Sequence, residues 1–177
     1  MRKSQVWLII VSILVLSIGV GATVAHLLTS SGSVHNTFTV GSVEITLTET
    51  TGKEYKMAPG VSVAKDPKVT VLAGSEACWL FVKLEKMGDF DTFCTYEVEE
   101  GWTALAGHPG VYYRRVEESR EATSFSVLKG NCIPVFDHVT EEQLNALAAY
   151  PTLNITAYAA QTDGIATAEA AWQALNP

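Results

Sequence analysis

The chain has 177 residues and a formal charge of −7, with 19 acidic against 12 basic residues. Arg2 and Lys3 are the only charges before His26, so the remainder carries 10 basic against 19 acidic residues, a balance of −9. That length suits one domain with a sizeable core plus an accessory segment. The acidic balance excludes a phosphate-reading surface, so no nucleic-acid partner is expected.

The first 25 residues read as an export signal. Arg2 and Lys3 form a basic start, Val6 to Val20 an apolar stretch, and Gly21, Ala22, Thr23 and Ala25 a run of small residues. Cleavage after Ala25 places Thr23 and Ala25 at the two recognition positions and leaves His26 as the new N-terminus. The competing reading is an uncleaved anchor, because Val6 to Leu28 is 23 residues without a formal charge. In both cases the rest of the chain lies outside the cytoplasmic membrane, since positive residues stay inside.

After a flexible segment at 26–36, the domain expected over 37–177 is rich in strands. "NTFTVGSVEITLTE" puts Phe38 and Val40 on one alternation and Val43, Ile45 and Leu47 on another, as in a strand bent or bulged at Gly41. Pro59 and Gly60 mark a turn, and Pro67 precedes a short run, Val69 to Leu72. "CWLFVKLEK" is the strongest strand, with Cys78, Leu80, Val82 and Leu84 on one face. Further strands are expected over Phe93 to Val98, Val111 to Glu117, Thr123 to Leu128 and Cys132 to Val139.

Two short helices follow near the C-terminus. Thr140 and Gln143 form a capping box before "EEQLNALAAY", which Pro151 would end; Thr167 caps "TAEAAWQAL", with Trp172 as its anchor. Between them "TLNITAYAAQTDG" places Leu153, Ile155, Ala157 and Ala159 on one face of a core strand. The rhythm of strands about every ten residues predicts a mainly all-β protein, an antiparallel β-sandwich or jelly roll.

Chemistry is sparse in the pattern. His26, His35, His108 and His138 are scattered without metal-ligand spacing, and there is no nucleophile elbow or phosphate loop, so no catalytic, metal or cofactor residue is assigned. Asp89 with Asp91, and Glu97 with Glu99 and Glu100, lack calcium-loop spacing and read as solvated edges. Cys78, Cys94 and Cys132 permit one disulfide with one thiol left over, or three free thiols. Trp102, Tyr112 and Tyr113 are candidates for a sugar- or protein-binding surface, with strand packing as the alternative. Asn154 heads a glycosylation sequon inside an expected core strand.

Taken in order, "GATVAHL", "NTFTVGSVEITLTE", "APGVSVAKDPKVTV", "WLFVKLEK", "YEVEEGWTAL", "GVYYRRV", "FSVLKG" and "LNITAYAAQTDGIATAEAAW" resemble the TasA/camelysin family of exported proteins of Gram-positive bacteria. The resemblance implies a signal read by a SipW-type signal peptidase and a jelly-roll subunit of extracellular biofilm-matrix fibres. It implies that copies of the chain join when the N-terminal segment of one adds as a strand to the next, with accessory matrix proteins as further partners. In residues 26–36 the candidate donor contacts are Leu27, Leu28 and Val34, while Ser30 to Ser33 supply flexibility. The alternative is a surface-displayed adhesion or binding module. A camelysin-like metallopeptidase is the more distant reading, because the sequence has no zinc motif. The chain ends "AWQALNP" without a wall-sorting motif, so secretion, or retention by an uncleaved N-terminus, is expected.

Overall fold

The computed structural model describes residues 37–40, 42–51 and 57–175. The chain divides between Val34 and His35, and all of the described residues belong to the second unit. That unit is mainly β, with antiparallel sheets stacked as a sandwich.

Ten strands are described: β1 (Thr37–Val40), β2 (Ile45–Thr48), β3 (Ser62–Ala64), β4 (Lys68–Val71), β5 (Cys78–Met87), β6 (Thr103–Ala104), β7 (Val111–Val116), β8 (Thr123–Ser126), β9 (Cys132–Pro134) and β10 (Thr152–Gln161). They form a five-stranded sheet in the order β1-β10-β5-β7-β6, a three-stranded sheet in the order β2-β4-β8, and the pair β3-β9. Every pairing is antiparallel except that of β1 with β10, which is parallel.

Gly41, the expected bend, lies outside the described residues, and the strands on either side of it belong to different sheets. Thr37–Val40 pairs with β10, whereas Ile45–Thr48 pairs with β4 in the other layer. The second alternation is as expected, since Val43, Ile45 and Leu47 are all buried. One hydrophobic period can thus be served by either sheet of a sandwich, and nothing local reveals the crossing.

Two strands, β5 and β10, carry the core because both of their faces are covered. Leu80, Val82, Leu84, Leu153, Ile155, Ala157 and Ala159 face the inter-sheet core with Ile45, Leu47, Val69 and Val71. Cys78 lies in that same cluster, as the alternation predicts. On the opposite face Phe81, Tyr158 and Ala160 form a second cluster under the C-terminal helix. Phe81 has no exposed surface, and burying a side chain of that size stabilises the fold by roughly 1.5–3 kcal/mol.

Three short helices are described: α1 (Phe90–Phe93), α2 (Glu141–Asn145) and α3 (Ala168–Leu175). At α2 the capping box is complete. The Gln143 amide donates to Thr140 Oγ1 at 3.2 Å, and the Thr140 amide donates to Gln143 Oε1 at 2.9 Å. This helix stops at Asn145 and does not reach Pro151, because only Leu144 is buried along it. In α3 the Ala170 amide donates to Thr167 Oγ1 at 3.2 Å, and Trp172 packs 5.2 Å from both Phe81 and Tyr158, measured between ring centroids.

The strand expected over Phe93 to Val98 is a correction. Its first residue closes α1, and the rest is extended chain with two isolated bridges, Cys94 to Val135 and Val98 to Leu128. The buried Phe90 and Phe93 are three residues apart, a helical spacing that supports one turn only. At Gly110 the close approach of strands decides the residue. Its φ is +78° and a β-carbon there would lie 2.5 Å from the Leu84 carbonyl oxygen, which only glycine avoids.

Candidate functional site

Two edges close the sandwich, and they are built differently. The first is the outer side of β10. Thr37–Val40 pairs in parallel with Ala157–Ala160, while Thr152 to Gln161 pairs along its whole length with β5 on the other side. Among the described residues, no strand pairs with Thr152 to Thr156 on the outer side. Because β1 is parallel to β10, its first described residue, Thr37, pairs with Ala157, next to that stretch.

The end of the sandwich where β10 begins is also apolar. Met87, paired with Thr152, is 52% exposed, and Tyr150, two residues before β10, is 58% exposed. Exposed strand edges beside apolar side chains are sites at which another extended segment can add. Thr23, Ala25 and His26, assigned to the cleavage site, and Leu27, Leu28 and Val34, assigned to the donor segment, lie outside the described residues.

The second edge lies between β7 and β8. The extended chain after α1 straps it: the Lys129 amide donates to the Glu97 carbonyl at 2.9 Å, and the Glu99 amide donates to the Val127 carbonyl at 2.9 Å. Trp102 follows, donating its indole Nε1–H to the Ser126 carbonyl at 2.9 Å. Residues Thr103 and Ala104 then pair with Tyr113 and Tyr112 as β6.

The three aromatic candidates are not brought onto one surface. Tyr112 and Tyr113 are neighbours on β7, so their side chains leave on opposite faces. Tyr112 packs against the inter-sheet core with Trp102, whereas Tyr113 packs against the cluster under α3, edge-on to Trp79 at 5.9 Å. Tyr96 is hydrogen-bonded to Tyr112, and burial, the largest cause, pushes its hydroxyl up to about 12. What sequence reasoning missed is Arg114, whose guanidinium carbon lies 3.8 Å from the Phe125 ring centroid and 5.4 Å from that of Trp102.

The remaining polar groups fit structural roles. Asp66 accepts bonds from the amides of Thr50 and Thr51 at 2.9 and 2.8 Å and from both threonine hydroxyls. The Thr50 hydroxyl and then the Thr51 amide, outweighing some burial, hold its carboxyl well below the usual carboxylate range. Beside it, Lys65 pairs with Glu49 at 3.0 Å, both largely buried, so this cluster pins the residues after β2 to those before β4. All three thiols are unpaired. Cys78 and Cys94 are buried, and loss of hydration pushes each up to about 11, far from a reactive thiolate.

The two described histidines, His108 and His138, are both engaged by neighbouring side chains. His108 Nε2 is engaged with Glu169 at 3.2 Å, and His138 stacks on Phe136 with ring centroids 5.1 Å apart. Among the described residues no three His, Cys, Asp or Glu side chains converge as a ligand set. Also among the described residues, no helix is long and apolar enough to cross a membrane.

The chain was compared with protein-family models, with curated proteins and with solved structures, and it matches none of them.

Proposed function

We propose that this chain is an exported structural subunit of extracellular biofilm-matrix fibres, joined head to tail by addition of residues 26–36 of one copy to the sheet edge of the next. The observation that carries the reading is β1. Among the described residues, a segment from the N-terminal side of the chain adds as a parallel strand to an otherwise antiparallel sheet, and it pairs with four residues of a ten-residue strand. An edge that takes β1 at Ala157 to Ala160 has the backbone chemistry to take a further extended segment along Thr152 to Thr156.

Each backbone hydrogen bond so made contributes about 0.5–1.5 kcal/mol, and burial of the exposed Met87 and Tyr150 adds an apolar contribution. A contact between unlike surfaces, donor on one copy and edge on the next, does not close on itself and propagates as a filament. The resemblance of the ordered motifs to the TasA/camelysin family supports the same reading, and with it export through a SipW-type peptidase.

The test uses the protein released by the producing cells. The reading expects His26 as its N-terminal residue, and fibres that are lost when residues 26–36 are deleted while the domain stays folded. Fibres of undiminished number and length from the deletion variant would exclude strand donation.

A further inference from the structure

The second edge holds a cation that has no counter-charge within ion-pair distance among the described residues. Arg114 leaves β7 on the inter-sheet side and lies flat enough on Phe125 for its guanidinium carbon to sit 3.8 Å from the ring centroid. Trp102 flanks it at 5.4 Å and is itself fixed by the bond from Nε1 to the Ser126 carbonyl. Arg114 Nε is shut off from solvent and meets no acceptor. Among the described residues no carboxylate lies within ion-pair distance of Arg114, whereas Arg115 beside it pairs with Glu117 at 3.3 Å, and Lys129 with Glu97 at 2.6 Å.

Gly101 lies against the guanidinium without a side chain to crowd it. Its φ is +86°, and a β-carbon there would stand 3.0 Å from Arg114 Nη2. Only Nε of the half-buried guanidinium has given up hydration without gaining an acceptor, and a planar anion binding through the two Nη groups supplies the missing counter-charge. Loss of hydration also lowers the pKa of Arg114 from its ordinary value, in keeping with that deficit.

We infer that Arg114, clamped between Phe125 and Trp102, is a binding site for a single carboxylate group. The carboxylate comes either from an Asp or Glu side chain of a second copy, of which this acidic chain has 19, or from a free small carboxylate. The site stands on the far edge from β1 and does not depend on the strand-addition reading.

Nuclear magnetic resonance of the full chain in non-ionic detergent tests this. The probe is N-acetylglutamate amide, titrated at constant ionic strength against a chloride control, with the Arg114 Nε–H and Trp102 Nε1–H signals as readouts. Saturable shifts of both signals with the probe and not with chloride are expected. Arg114→Lys should weaken the apparent affinity about tenfold, because a point charge replaces a two-pronged donor. Arg114→Met should abolish the response, with Phe125→Leu as a second variant that keeps the charge and loses the stacking. If the same signals move on simple concentration of the protein, the carboxylate is that of a second copy; if only the probe moves them, it is a free one. Equal shifts with probe and chloride, no shift with either, or an unchanged response in Arg114→Met would overturn the site.

Discussion

The two edges of the sandwich solve the same problem by opposite means. Between β7 and β8 the gap is closed by side chains and a strap: Trp102 bonds to the Ser126 carbonyl, Arg114 lies over Phe125, and residues 97–99 bond to the chain after β8. At β10 the outer side is met by backbone pairing with four residues of β1. A side-chain plug ends a sheet, whereas a ladder of backbone groups can be continued by any extended chain. The proposed strand addition uses the backbone ladder at β10, and the proposed carboxylate site uses the side chains of the β7–β8 edge.

Breaking the plugged edge should cost the domain most. Phe125 packs against the core and carries the Arg114 stack, so Phe125→Ala should destabilise by about 3–5 kcal/mol in urea titration, with assembly otherwise lost only through unfolding. A loss under 1 kcal/mol would mean that the strap alone closes this edge. Smaller is Trp102→Phe, which keeps a ring but leaves the Ser126 carbonyl without its donor, for about 1 kcal/mol. Smaller still for global stability is detachment of β1. Its amides should exchange hydrogen at least tenfold faster than those of β5 in the monomer, because an end strand opens locally without unfolding the core. Equal protection would show that β1 is an integral core strand.

A pH series sharpens the comparison from outside both edges. Asp66 has a folded pKa held below that of the unfolded chain, so its contribution is complete above the usual carboxylate range near about 4 and is lost as pH falls further. Between pH 4 and 2, the wild type should therefore lose stability more steeply than Asp66→Asn. Parallel curves would remove the threonine cradle as a source of that stability.

The parts legible in the sequence are those that local chemistry dictates. β5 and β10 stand out because strands covered on both faces are apolar through much of their length, and the Thr140 box because capping needs only residues three apart. Less legible was anything requiring knowledge of which sheet a strand joins. Val43 to Leu47 alternate as expected, yet the step from the five-stranded to the three-stranded sheet between Val40 and Ile45 left no mark beyond one glycine. Phe93 reads equally well as the start of a strand, although with Phe90 it closes a single helical turn. The Arg114 clamp was invisible because its members lie on three separate segments, and its distinguishing feature, an Nε without an acceptor among the described residues, is one that no motif encodes. Tyr112 and Tyr113 leave β7 on opposite faces, in keeping with the strand-packing alternative, because adjacent strand residues do not share a face.

The central claim is that the outer side of β10 receives the donor segment. Amide hydrogen exchange of Thr152 to Thr156, compared between the dispersed subunit and the assembled fibre, tests it without assuming a register. The account predicts that the outward-facing amides of this stretch gain protection on assembly, while the Leu80 to Leu84 amides of β5 are unchanged. Fibres in which Thr152 to Thr156 exchange as fast as in the dispersed subunit would contradict it.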